Sequence, residues 1–93
     1  MVFNRRNMGF LGFGSCVTDN ILTNFDLEKM VDTSDEWIVR RTGVHERRLL
    51  YPGQMAADLG VSAAEKALKD AGISPEQIDL IIVSTETPDY LTP

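Results

Sequence analysis

The chain has one cysteine, one tryptophan and one histidine in 93 residues. A single cysteine excludes an internal disulfide and any metal site built from several thiolates, so a reducing compartment such as the cytoplasm is the simplest setting. Long apolar runs are missing as well. No stretch reaches the length needed to span a bilayer, and the opening MVFNRRNMGFLGFG breaks its apolar part with glycines, which makes a poor secretory signal. Positive charge is scarce: 9 Lys and Arg against 14 Asp and Glu leave a net charge of -5. That balance excludes general nucleic-acid binding, which needs a positive face for the phosphates. There is no internal repeat and no low-complexity segment.

What is present is the composition of an ordinary globular protein, 43% hydrophobic and 25% charged. A chain of this length suits one small domain or a piece of a larger one. It buries roughly two-thirds of its unfolded surface at best, so its stability is marginal without a partner. Residues 1–7 read as a flexible extension ahead of Met8, and residues 8–93 as the folded part. One local feature runs against the net charge. Arg40, Arg41, His45, Arg47 and Arg48 fall within nine positions, beside the sole tryptophan, Trp37.

Residues 8–17, MGFLGFGSCV, predict a first strand with glycines set into it. Gly12-x-Gly14 lacks the third glycine and the immediate helix of a dinucleotide fingerprint. Close backbone approach between packed elements is the better role for these glycines. Asn24 is the expected N-cap of a helix over Phe25–Val31. Thr33 and Glu36 fit a capping box that opens a second helix. Asp35 and Glu36 at its start, with Arg40 and Arg41 at its end, suit the helix dipole. Gly43 is the expected left-handed stop.

VHERRLLY then reads as a strand or strand-like loop, and Pro52-Gly53 as a turn. From Met55 to Ala71 runs the best helix, with a small-residue face (Ala56, Leu59, Gly60, Ala63, Ala64, Ala67, Leu68, Ala71) suited to close packing. Gly72 ends it, and Ser74-Pro75-Glu76-Gln77 predicts a single turn. IDLIIVST, residues 78–85, has the unalternating Ile/Val content of a strand buried on both faces. The order predicts a βαβ unit of a parallel sheet, an α/β class. Beyond that strand's carboxyl end, where ligand sites of open α/β sheets lie, the sequence runs through the turn-rich TPDYLTP.

Trp37 and Arg41 stand four residues apart, on one helix face. Residues alone leave two roles for the indole: a half-buried core aromatic stacked on Arg41, or a flat platform for a base with a guanidinium near its phosphates.

The run NILTNFDLEKMVDTSDEWIVRRTGVHERR, with GFGSCV before it and DAGISPEQIDLIIVSTETPDYLTP after it, closely resembles the amino-terminal segment of β-ketoacyl-[acyl-carrier-protein] synthase III, of the thiolase superfamily. The resemblance runs from about Met8 to Pro93. It departs at Cys16-Val17-Thr18, where the family usually has Tyr-Leu-Pro. It implies that residues 8–93 are the N-terminal part of the first thiolase-like half-domain. The whole fold would be a layered α-β-α-β-α sandwich, incomplete in this chain. The implied activity joins an acyl-CoA primer to malonyl-acyl-carrier protein through an acyl-cysteine, with loss of CO2 and CoA. CoA enters as substrate, and no prosthetic group or metal is implied.

By the same resemblance, Thr33, Trp37 and Arg41 bind the nucleotide end of CoA, with the indole on the adenine and Arg41 serving the phosphate-bearing part. The family's catalytic Cys, His and Asn lie downstream of a TPDY-like loop. Cys16 and His45 match none of them, so the 93-residue chain alone is expected to be inactive. Arg40 adds charge that would suit an acidic carrier protein. The intact enzyme is expected to be a cytoplasmic homodimer without nucleic-acid or membrane partners. Two other readings stay open: a non-catalytic CoA-binding or assembly fragment, and a specialised synthase for polyketide or quinolone-type products.

Overall fold

The computed structural model describes residues 7–91. Most of the expected extension, residues 1–6, therefore lies outside the described residues, as do Thr92 and Pro93. The elements run β1 (Ile21–Thr23), α1 (Asn24–Glu28), α2 (Asp35–Thr42), β2 (Glu46–Arg48), α3 (Ala56–Ala71) and a 3-10 turn at Pro75–Gln77. The described residues fall into two compact units, one of residues 17–56 and one of residues 7–16 with 57–91.

In the first unit, β1 pairs antiparallel with β2, with Ile21 opposite Arg48 and Thr23 opposite Glu46. The bonds from Asn24 N–H to His45 C=O (3.1 Å) and from Leu49 N–H to Asn20 C=O (2.8 Å) lengthen the ladder at each end. VHERRLLY thus supplies a real strand, but its partner ILT was not foreseen. Three residues between a turn and a helix cap carry too short a pattern to announce a strand.

Both helix starts sit one residue away from the expected place. The N-cap of α1 is Thr23, not Asn24: the Thr23 hydroxyl accepts from Asp26 N–H (3.1 Å), and the Asp26 carboxylate accepts from Thr23 N–H (2.9 Å). Those bonds from the Thr23 backbone and hydroxyl hold the Asp26 carboxyl below its ordinary value. A reciprocal box satisfies two orphan donors where a lone Asn satisfies one. The helix stops at Glu28 rather than Val31, and Met30 and Val31 N–H close turns onto Leu27 C=O. The N-cap of α2 is Ser34, not Thr33, with the Ser34 hydroxyl accepting from Trp37 N–H. Glu36 is drawn instead into an i,i+4 pair with Arg40. At the other end Gly43 adopts φ 72° and returns its N–H to Val39 C=O, as expected.

In the second unit, α3 ends at Gly72 with φ 69°, and Ser74 and Gln77 form the box that starts the 3-10 turn. Here the two long strands expected at residues 8–17 and 78–85 are absent among the described residues. A strand exists through its ladder, and neither segment has a neighbouring strand to pair with. Residues 8–17 are bonded by α3 instead: Asp70 accepts from Phe13 N–H (3.0 Å) and the Lys66 ammonium donates to Ser15 C=O (3.1 Å). The expected close approach is real. A Cβ on Gly12 would lie 2.6 Å from the Ala71 nitrogen and 2.7 Å from the Ala67 oxygen. Ile78–Thr85 keeps the composition of a doubly buried strand but leaves both faces open, with Ile82 85% exposed.

Of the large apolar side chains described, only Ile38 is buried, at 6% exposure. Gly60 lies inside α3, and a Cβ added there would meet nothing within 4 Å, so Gly60→Ala removes backbone freedom without a clash. It is expected to stabilise the chain by about 0.5–1 kcal/mol. A higher midpoint in thermal unfolding followed at 222 nm checks this, and an unchanged or lower one refutes it.

Candidate functional site

The region around α2 is organised by a side chain that the sequence hid. Asn24, read above as a cap, is fully buried at 0% exposure. Its amide nitrogen donates to the Asp35 carboxylate (2.8 Å) and to Val44 C=O (2.7 Å), and its amide oxygen accepts from the Arg47 guanidinium (2.8 Å). Asp35 is the first residue of α2, and Val44 follows its glycine stop. One amide therefore holds both ends of the helix. Glu28 of α1 adds a third tie by accepting from Asp35 N–H (2.8 Å). The signal was present as Thr23-Asn-Phe-Asp26, a box that frees Asn24 from capping.

On α2, Ile38 takes the buried face and Trp37 the open one, with the indole 53% exposed. The Arg41 guanidinium carbon lies over the indole, 5.5 Å from the ring centroid, within cation–π range. Beside the ring is an open cleft of about 340 Å³ lined by Asp32, Thr33, Ser34 and Trp37. Of the three residues expected to act together, Thr33 and Trp37 share this cleft. Arg41 is not part of its wall and joins them only through the ring. Asp32 and Ser34 were not singled out in the sequence, because turn residues before a helix read first as capping.

The cationic run divides into separate duties. Arg40 pairs with Glu36, Arg47 serves Asn24, and Arg48 donates to Thr18 C=O (2.8 Å) and reaches Glu46 at 3.4 Å. Arg41 is thereby the member of the run that stands on an aromatic face. The cleft is not a phosphate seat in itself, since Asp32 places a carboxylate in its wall. Its carboxylate accepts and its hydroxyls can donate or accept, with the Ser34 hydroxyl already accepting from Trp37 N–H, a set that can take an amino group on a flat ring. An anionic group fits better at the Arg41 end of the indole.

Elsewhere in this unit the Tyr51 hydroxyl donates to the Asp19 carboxylate, which raises the phenol above its usual range. Cys16, in the other unit, is a half-buried free thiol. Among the described residues no group of three or more His, Cys, Asp or Glu is placed to hold a metal ion. No helix of the described residues is long and apolar enough to cross a membrane.

No protein-family model matches the chain. Individual relatives do. The β-ketoacyl-[acyl-carrier-protein] synthase III of Caldanaerobacter subterraneus subsp. tengcongensis is 58% identical over 85 residues, 91% of this chain and 26% of that protein. The synthase III of Chlamydia caviae is 56% identical over 80 residues, 86% of this chain and 24% of its own length. Among solved structures, 3-oxoacyl-[acyl-carrier-protein] synthase III of Aquifex aeolicus VF5 superposes with a TM-score of 0.79 at 49% identity, covering 89% of this chain and 27% of that one. The priming β-ketosynthase of the R1128 polyketide pathway gives 0.83 at 38% identity, covering 100% and 28%. The chain thus spans about a quarter of the length of the relatives it matches. The thiolase-like α/β class expected from the sequence is the class of these neighbours, even though the two long strands carry no ladder here.

Proposed function

Since this chain is similar over nine-tenths of its length to β-ketoacyl-[acyl-carrier-protein] synthase III, we propose that it carries the CoA nucleotide site of such a condensing enzyme. The observation behind this reading is Trp37, half exposed beside the Thr33 cleft with Arg41 on its ring. Adenine lies on the indole with its amino group toward the acceptors of Asp32 and Thr33. The phosphates extend the other way and draw the Arg41 guanidinium off the ring. Guanidinium meets phosphate oxygens in a two-pronged fork, a stronger contact than an exposed cation–π stack.

The reaction served is transfer of the acyl group from acyl-CoA to a cysteine thiolate, with CoA leaving. Decarboxylation of malonyl-acyl-carrier protein then gives the carbon nucleophile that attacks the acyl-cysteine. CO2 departs and 3-oxoacyl-acyl-carrier protein is the product. In the proposed division of labour these 93 residues bind and orient CoA, and the acyl-transfer residues lie elsewhere, since Cys16 and His45 match no catalytic position. The chain by itself then has no condensing activity. A cytoplasmic homodimer is the proposed form of the intact enzyme.

A second reading, a specialised polyketide-type priming synthase, is favoured by the likeness to the R1128 enzyme over the whole chain. Both share the nucleotide site and differ in the primer they accept. A third, a non-catalytic binding or assembly piece, draws on the exposed apolar run Leu80–Val83.

Because Trp37 is the sole tryptophan, its fluorescence reports the site directly. Titration with CoA is expected to quench it saturably, and pantetheine, which lacks the nucleotide, is expected not to. Equal quenching by both, or by neither, overturns the assignment.

A further inference from the structure

We infer that Asn24 is a positioning residue for the nucleotide site: by gripping both ends of α2 it sets where Trp37 and Arg41 stand. The inference rests on the reading of Trp37 and Arg41 given above, and adds to it a residue that touches no ligand. Its basis is a buried amide with both amide hydrogens and its oxygen engaged. Both N–H groups are spent on the ends of α2, at Asp35 (2.8 Å) and Val44 (2.7 Å), and the oxygen is held by Arg47 (2.8 Å) from β2. The Asn24 backbone N–H is fixed as well, on His45 C=O (3.1 Å).

An eight-residue helix with one buried apolar side chain, Ile38, has little packing to fix its rotation about its own axis. Two bonds from one rigid amide, at opposite ends of that helix, supply the missing constraint. Because Trp37 and Arg41 lie on the open face, they are defined only as well as the helix that carries them. Hydrogen bonds in such a buried network are costly to leave half made. Loss of either tie is therefore expected to loosen the indole before it unfolds the unit.

The test exchanges donor and acceptor across the Asn24–Asp35 bond. Asn24→Asp sets two carboxylates against each other and turns an acceptor toward Val44 C=O. Adding Asp35→Asn restores a donor to one carboxylate and removes the repulsion. With the full chain, three readouts are taken: far-UV circular dichroism, Trp37 fluorescence anisotropy, and CoA affinity by calorimetry. Asn24→Asp is expected to lower Trp37 anisotropy and weaken CoA binding roughly tenfold with the circular dichroism unchanged. The double variant restores the tie at Asp35 but not the one at Val44, and is expected to regain part of both.

If Asn24→Asp unfolds, Asp35→Ala carries the same test against Asp35→Asn, which keeps the acceptor. Weaker CoA binding in the alanine variant alone supports the inference. Wild-type affinity and anisotropy in a folded Asn24→Asp or Asp35→Ala variant overturn it, as does a double variant no better than the single. If the wild-type chain binds no CoA, the functional reading fails instead, and the anisotropy arms still decide whether Asn24 positions Trp37.

Discussion

Trp37→Ala is expected to weaken CoA binding by a factor between about 5 and 150, the equivalent of about 1–3 kcal/mol for a stacked base. The larger part of that range applies if the adenine covers the indole fully. Some of the loss is offset in the free chain, because the Arg41 stack at 5.5 Å disappears with the ring and no longer competes. In an intact enzyme the effect falls on KM for acyl-CoA, with kcat for the bound substrate unchanged, because stacking on a remote base is equal in ground and transition states. Trp37→Phe, with a smaller ring, is expected to fall between. Calorimetric titration of CoA into wild type and both variants makes the measurement. Binding within a factor of about two across all three would remove Trp37 from the site.

Gly14→Ala is expected to cost the second unit its packing. The added Cβ would stand 2.5 Å from the Ala67 nitrogen, closer still to the Ala63 oxygen, and 2.9 Å from the Lys66 Cβ. The first two are backbone atoms of α3, which cannot rotate away as a side-chain tip does, so the segment must lift off the helix. Overpacking of this kind costs about 1–3 kcal/mol, a large part of the margin of a small domain. Urea unfolding followed at 222 nm should show a lower midpoint, and loss of the Phe13–Asp70 and Lys66–Ser15 bonds should follow. A midpoint equal to wild type would mean that residues 8–17 do not pack on α3 as described. Gly60→Ala, on the same helix but at a position where an added Cβ meets nothing within 4 Å, is the control with the opposite sign.

What was legible in the sequence, and what was not, divides by the range of the interactions involved. The Gly43 and Gly72 stops, the long helix and the Ser74–Gln77 turn are set by neighbours three or four residues away, and each appears where it was expected. So does the tight seat of Gly12 and Gly14, since glycines repeated in an apolar run have few other uses. The caps were found in kind but misplaced by a residue, because Thr23-Asn24 and Thr33-Ser34 each offer two good capping residues in a row. Choosing between them depends on what the loser does instead. Asn24 is claimed by Asp35, Val44 and Arg47, partners 11 to 23 residues away. Thr33 is left in the wall of the cleft.

The long strands failed for a different reason. Ile78–Thr85 has the composition of a strand, but a ladder requires a second strand, and composition does not provide one. Trp37 and Arg41 were placed together by their spacing alone. The stack of the arginine on the ring was one of the two roles their spacing allowed, but the cleft beside it, walled by turn residues, was not visible in the sequence.

The contact between Arg41 and Trp37 has a consequence for selectivity on the proposed reading. In the free chain the guanidinium already rests on the indole, so a flat molecule that takes that face must displace it. A molecule with a base and phosphates gives the displaced cation a better place to go, and the exchange is self-compensating. Adenosine offers the base and nothing for the cation to hold. On the proposed reading, that exchange favours the nucleotide over nucleosides and other planar molecules by the worth of one exposed stack, about 0.5–1 kcal/mol, through the same two side chains that hold the nucleotide.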